Sequence, residues 1–294
     1  DRDVTGVQTC ALPICGMPEG KEINSELAKI AKKHNLAMAV GSQRIAFNNP
    51  ESISSFEIVR KVNPNGVIFA NLGSDVSVHE AQKAIDMIEA DALQIHLNVP
   101  QEIIMSEGRK NFKGTLKNIS EIMEYVSVPV IIKEVGFGMA AEEAKILAES
   151  GVRIIDIGGA GGTNFLAIEN MRNKDMTFKN LENWGIPTPI SLVEVIKTVK
   201  GKAAVIASGG LKDGLDASKS LALGAKAVAF AGTFLQLLLK KGPSALSKHI
   251  IQIEKEMIYV MIMAGARNIS ELQKRPLIIS GKTREWLESR GFAR

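Results

Sequence analysis

The sequence predicts an α/β fold, a (β/α)8 barrel, and three observations carry that expectation. From Lys21 to about Phe230, short apolar or β-branched runs alternate with helical patterns, the rhythm of parallel strands joined by helical crossovers. The chain has 294 residues, a length that suits a single barrel of about 250 residues. Polar residues and glycine pairs recur just past the apolar runs, at the strand ends where barrels place their chemistry.

A barrel needs a first strand before Glu22, and only Thr9–Cys15 offers one. That head is unusual: Asp3–Ile14, DVTGVQTCALPI, reads like a translated sequencing adaptor. Residues 1–15 are therefore expected to be a non-native head, with the first strand lost or replaced and an ordinary divergent N-terminus as the alternative, and residues 16–294 to form one barrel domain.

Seven further strands follow: Ala37–Val40, Val67–Asn71, Ala92–Asn98, Val130–Lys133, Arg153–Ile157, Ala203–Ala207 and Ala227–Phe230. Helices are expected at Glu22–His34, Ser52–Val62, Val78–Ala90, Thr115–Tyr125, Ala141–Glu149, Ser191–Lys200 and Asp213–Leu223. In the third of these, Ala81, Ala84, Ile85 and Ile88 recur at helical spacing behind a Ser77/Glu80 capping box. Thr163–Thr188 shows no periodicity and reads as a long loop. Past the barrel, Ser244–Ala264 reads as one long helix, the start of a C-terminal helical extension. Its Ile and Met residues cover more than one stripe, so it should pack on the barrel or on a second subunit.

Composition narrows the function. Hydrophobic residues make up 45% and charged residues 23%, enough for a sizeable core. No apolar run reaches the roughly 20 residues of a membrane span, and Asp1–Thr9 lacks the apolar centre of a signal peptide. The net charge of +4 is spread without blocks, which suits a phosphorylated small molecule and gives no sign of nucleic acid. Cys10 and Cys15 are the two cysteines, so no disulfide framework forms, consistent with a reducing cytoplasm.

Period-2 alternation in Ala92–Asn98 sends Leu93, Ile95 and Leu97 to one face and Gln94, His96 and Asn98 to the other. Helices cover the apolar face, so three polar side chains look into the barrel. They require partners or a ligand, and an internal hydrogen-bond network is the alternative to a binding site. Gln101 and Glu102 follow Pro100 above that face, and Glu102 could hold Mg²⁺ through one oxygen, with substrate phosphates completing the shell. Lys133 ends its strand beside Glu134, where it balances a phosphate or an anionic flavin, or forms a surface pair with Glu134. Asn71 stands at another strand mouth. Ser208-Gly209-Gly210 and Ala231-Gly232-Thr233 follow the last two strands, where barrels cradle phosphate with backbone N–H groups. His34, His79 and His249 fall on helices and read as structural or solvated. No H-E-x-x-H, G-x-S-x-G or Walker motif occurs.

Gly41-Ser42-Gln43-Arg44, Asn71-Leu72-Gly73, His96-Leu97-Asn98 with Gln101-Glu102, Lys133-Glu134-Val135-Gly136, Gly161-Gly162-Thr163-Asn164 and Ser208-Gly209-Gly210 together resemble the type 2 isopentenyl-diphosphate isomerases. These are FMN-dependent barrels that interconvert isopentenyl and dimethylallyl diphosphate, and the resemblance runs from about Met17 to near the C-terminus. It implies that Ser42, Asn71, Lys133 and Thr163 contact FMN and that Gly209, Gly210, Ala231 and Gly232 surround its phosphate. It implies a substrate pocket of Gln43, Arg44, His96, Asn98 and Gln101, with Arg44 and His96 facing the diphosphate, Gln101 and His96 serving catalysis, and Glu102 holding Mg²⁺. It further implies reduced FMN as the acid/base group, NADPH as reductant, and a homo-oligomer of four or eight chains.

The sequence departs from the family at its start. The short Arg-Lys motif that reaches the diphosphate and the Met-Thr-Gly-Gly of the first strand are both missing, with Gly16 as the only remnant. Weakened flavin and diphosphate sites, and low activity, are the expectation. Moving a double bond requires adding a proton at one carbon and removing one from another, and no tuned carboxylate pair is readable. Reduced flavin would carry that step, with Gln101 as a positioning or relay group. Two alternatives stand beside this reading: another FMN barrel of the 2-hydroxy-acid oxidase or dehydrogenase type, and an inactive truncated copy.

Overall fold

The computed structural model describes residues 19–173 and 178–292. Seven strands, β1 (Met38–Ala39), β2 (Ile68–Gly73), β3 (Ala92–Leu97), β4 (Val130–Glu134), β5 (Ile154–Asp156), β6 (Ala204–Ala207) and β7 (Ala227–Val228), lie in sequence order in one sheet. Every neighbouring pair is parallel, and a helix covers each crossover, as the right-handed βαβ unit requires. This is the expected barrel wall, with all seven readable strands in place. The eighth, expected at Thr9–Cys15, lies outside the described residues, as does the 1–15 head.

The main core fills the space between sheet and helices. Met38, Ile68, Leu72, Leu93, Ile95, Ile132 and Ile155 point outward from the strands and meet Leu27, Phe56, Ile85, Ile122, Leu147 and Leu192 from the helices. The helix Val78–Ile88 starts on the expected box: Glu80 N donates to Ser77 Oγ and Ser77 N to a Glu80 carboxylate oxygen.

Two expectations need correction. Thr163–Thr188 is not a structureless loop: it holds the helix Phe165–Asn173 and the 3₁₀ turn Lys179–Asn183, and Thr188 opens the helix Thr188–Val199. Asn164 starts the first helix by accepting from Ala167 N. Its buried positions are Leu166, Glu169 and Asn170, so two of three inward sites are polar and hydrophobic periodicity cannot reveal it. The Ser244–Ala264 helix is the second half of a longer element, Gly232–Met263, broken at Gly242 (φ 81°, ψ 174°) before Pro243. Glycine is the residue that adopts such a φ freely. The extension continues through Ile269–Leu272 and Gly281–Ser289. Among the described residues no helix is long and apolar enough to cross a membrane.

Candidate active site

Alternation builds the barrel interior in two storeys. Phe69, Ala92, Ile131, Ile154, Ile206, Ala227 and Ala229 form an apolar cluster of their own. Two residues further along five of these strands, on the same face, stand Asn71, Gln94, Lys133, Asp156 and Ser208, all buried. A dry floor thus carries a polar layer toward the strand mouths.

The polar layer consists of two networks. In the first, His96 Nδ1 lies 2.7 Å from Asn71 Oδ1, and Asn71 Nδ2 donates to Gln94 Oε1 at 3.2 Å. Gln94 Nε2 is fully buried and has no hydrogen-bond partner among the described residues. Because Asn71 Oδ1 can only accept, His96 carries its proton on Nδ1 and offers a lone pair at Nε2. Burial pushes His96 down to about 4, against the raising influence of Asp75 and Glu102, so the ring is neutral at pH 7.

In the second network, Lys133 Nζ donates to Asp156 Oδ2 at 2.8 Å and to Ser208 Oγ at 3.3 Å. Ser208 Oγ donates to Asp156 Oδ1, which also accepts from Gly158 N. Lys133 therefore pairs with Asp156 and not with Glu134. Glu134 turns to its own loop, accepting from Phe137 N at 2.7 Å and Gly138 N at 3.1 Å. Burial outweighs these donors and pushes its carboxyl up to about 8.

Above Lys133 opens a cavity of about 660 Å³ whose lining includes Thr163, Gly209, Gly210, Ala231 and Gly232. Six of the eight expected cofactor residues meet there; Ser42 and Asn71 do not line it. The glycines are required: a Cβ on Gly209 (φ 106°) would stand 2.0 Å from Gly159 O, and one on Gly210 (φ 79°) 2.1 Å from Gly161 O. Gly232 starts its helix at the cavity wall, an arrangement suited to phosphate. His249, read from sequence as structural or solvated, lines the same cavity with its Nε2 3.1 Å from Lys212 O. Its ring also meets Phe234 edge-on.

The expected substrate residues lie on neighbouring mouths. Arg44 begins the short helix Arg44–Asn48, and its Nη1 is 2.8 Å from Asp75 Oδ1. Gln43 departs from expectation. It is fully buried, its Nε2 donates to Ala84 O and its Oε1 accepts from Asn71 N, so its side chain ties β2 to a helix. The helix Val99–Ile104 carries Gln101 and Glu102. Glu102 accepts from Asn98 Nδ2 at 3.1 Å and from Arg109 N at 2.6 Å. Gln101 Nε2 donates to Glu169 Oε1 at 2.9 Å, and Arg172 Nη1 to Glu169 Oε2 at 2.7 Å. Glu169 and Asp156 contact the candidate residues Gln101 and Lys133 and are absent from the sequence-based expectation. Asp156 is detectable, two residues beyond an inward Ile154; Glu169 is not, because its helix buries two polar residues and carries no apolar periodicity. Among the described residues no group of three or more His, Cys, Asp or Glu side chains is arranged to hold a metal ion.

Comparison with known proteins identifies relatives of the chain. Residues 80–279 match the family model of FMN-dependent dehydrogenases. The isopentenyl-diphosphate delta-isomerase of Geobacillus sp. (strain WCH70) is 52% identical over 272 residues, 92% of this chain and 77% of that protein. The same-named protein of Moorella thermoacetica is 46% identical, over 94% of this chain and 79% of its own length. Among solved structures, a lactate oxidase of Pediococcus acidilactici matches with a TM-score of 0.69 at 18% identity, covering 94% of this chain and 77% of that one. A mandelate oxidase with a monooxide FMN adduct matches with a TM-score of 0.65 at 17% identity, over 95% and 80%. At such identity these two establish the shared fold alone.

Proposed function

Because the chain belongs to the isopentenyl-diphosphate delta-isomerases, in their FMN-dependent type 2 form, we propose that its barrel mouth binds FMN, Mg²⁺ and an isoprenoid diphosphate through the residues described above. The reaction is an isomerisation that transposes a C=C bond. The observation that best supports the assignment of residues is the glycine-floored cavity ending on Lys133, which gathers six expected flavin contacts.

The residues fit FMN on three grounds. The paired glycine turns expose backbone N–H groups for a phosphate, Lys133 is a cation fixed by Asp156, and Gln94 Nε2 is a buried donor in want of an acceptor. When bound in its reduced form, FMN supplies the proton-transfer and charge-stabilising chemistry that the side chains lack. Lys133, Thr163, Gly209, Gly210, Ala231 and Gly232 hold it, with Ser42, Asn71 and Gln94 toward the ring.

The remaining residues bind and orient substrate. Arg44 faces the diphosphate as a cation. Neutral His96 accepts a hydrogen bond at Nε2, and Asn98 lies beside Glu102. Glu102, the single carboxylate of the Val99–Ile104 helix, holds Mg²⁺ together with substrate oxygens, the arrangement this ion favours. Gln101 is a neutral amide whose NH₂ is committed to Glu169, so its Oε1 is the free end that meets the substrate. Gln43 drops out of the pocket, since its side chain serves the fold. NADPH keeps the flavin reduced, and the chain works in the cytoplasm on a small molecule. Ile251, Ile258, Tyr259, Ile262 and Met263 leave one face of the Gly232–Met263 helix exposed while Leu246, Ile250, Ile253 and Met257 bury the other. We assign the exposed face to assembly of a tetramer or octamer.

Titration with FMN, followed by flavin fluorescence, and an anaerobic isomerase assay with Mg²⁺ test this reading. Saturable quenching and conversion of isopentenyl diphosphate support it. Absence of flavin binding by this chain and by a version carrying Met-Thr-Gly-Gly before Met17 would overturn it.

A further inference from the structure

We infer that Asp75 makes the diphosphate site selective for the magnesium-complexed form of its ligand and turns away the bare anion. The inference rests on the assignment of Arg44 and His96 to the diphosphate made above. Asp75 lies close to both groups. Its Oδ1 is 2.8 Å from Arg44 Nη1. The point where a Cβ on Gly73 would stand is 3.0 Å from the same oxygen and 3.4 Å from His96 Nε2. A carboxylate therefore already occupies the cation that an incoming diphosphate must engage, at the end of β2 that faces His96.

The charge balance follows. A bare diphosphate must take Arg44 away from Asp75, leaving an uncompensated carboxylate beside a multiply charged anion, and juxtaposed like charges oppose binding. His96 adds to the barrier. With Nδ1–H committed to Asn71 Oδ1, its Nε2 presents a lone pair, and a phosphate oxygen is likewise an acceptor. A magnesium complex removes both difficulties: the ion lowers the charge of the ligand, and its bound waters are O–H donors that a neutral imidazole can accept from. Glu102, which accepts from Asn98 and Arg109 N in this chain, is the carboxylate that holds the ion. Asp75 need not touch it.

Isothermal titration calorimetry with sodium pyrophosphate, once with EDTA and once with excess Mg²⁺, tests the inference on the whole chain without flavin or turnover. Asp75→Asn keeps the side-chain shape at a position whose side chain is 36% exposed, and a thermal melt confirms that it folds. The expected result is about tenfold tighter binding of the metal-free anion by Asp75→Asn, with the magnesium form changed less than about twofold. Equal change in both forms, or no change in either, overturns the role of Asp75. Arg44→Ala separates the two levels: weaker binding of both forms upholds the diphosphate assignment whatever Asp75 does. Unchanged binding by Arg44→Ala, or no binding of either form by the parent chain, removes the assignment and the inference with it.

Discussion

The strand-borne centre of the barrel and the helix-borne mouth above it solve the same problem differently. Lys133 and Asp156 come from adjacent strands and Ser208 directly follows the next one; all three are buried and satisfy one another directly. Gln101, Glu169, Arg172 and Glu107 come from two short helices and a loop, and their chain of contacts runs from a buried carboxylate out to a pair about half exposed at both partners. The first arrangement fixes a charge deep in the barrel; the second holds an amide while keeping its support near water. A buried ion pair resists disruption because either partner alone is costly, whereas an exposed pair contributes little and yields easily. The centre is thus built to stay put and the mouth to adjust.

The largest expected effect breaks the centre. Asp156→Ala removes the carboxylate that compensates the Lys133 charge in the barrel, and should cost about 3–5 kcal/mol of unfolding free energy, read from urea midpoints at constant m. Pairing it with Lys133→Met should recover most of that loss while removing the cation proposed to meet the flavin, so that flavin binding is lost. A mouth substitution with an equal stability cost would erase the distinction drawn above.

Glu134 sits where the two regions join, and its pH dependence sharpens the comparison. Burial raises its folded-state value to about 8, above the roughly 4.3 of an unfolded chain. The fold therefore favours the protonated form, and stability falls as pH rises until Glu134 ionises. His96 acts in the opposite sense: its folded value near 4 makes stability fall as pH drops below about 6.5. Between pH 6.5 and 8 the slope belongs to Glu134, about 1.4 kcal/mol per pH unit for one proton, and it should flatten above 8. Glu134→Gln should remove the slope; an unchanged profile in that variant would assign it elsewhere.

At the mouth the readout is rate. Gln101→Ala should lower kcat by about 10²-fold with FMN affinity unchanged, and a normal rate would remove Gln101 from the mechanism. Glu169→Gln is the milder test. A Gln can accept from Gln101 or Arg172 but its amide end cannot replace the second carboxylate oxygen, so kcat should fall about tenfold with Kd for FMN unmoved. An equal loss in Asp156→Asn without loss of flavin would show that centre and mouth are one unit.

The same division governs what the sequence reveals. Strand alternation is a period-2 signal, so Leu93 and Ile95 outward with Gln94 and His96 inward follows from Ala92–Leu97 alone, as does Lys133 at the end of Val130–Glu134. Gln43 escapes that logic, because it lies beyond the two-residue β1 and its amide reaches back to Ala84 O. The mouth is hidden for a different reason. Phe165–Asn173 buries Glu169 and Asn170, polar residues satisfied by partners distant in sequence, and no periodicity of apolar residues marks such a helix. Motif resemblance located Gln101, but only the folded chain shows the carboxylate that orients it.

The smallest effect concerns a buried donor that neither region satisfies among the described residues. Gln94 Nε2 lies in the polar storey beside Asn71, fully buried and without a partner among the described residues. An unmet buried amide group costs about 1–3 kcal/mol, so Gln94→Leu should raise the stability of the flavin-free chain by about 1 kcal/mol, tempered by the acceptor lost to Asn71 Nδ2. If the donor is kept for the ring, the same variant should bind FMN about tenfold more weakly, giving opposite signs in a urea melt and a flavin titration. A variant that is less stable and binds FMN normally would mean that Gln94 belongs to the fold, and that the strand-borne centre holds nothing in reserve for a ligand.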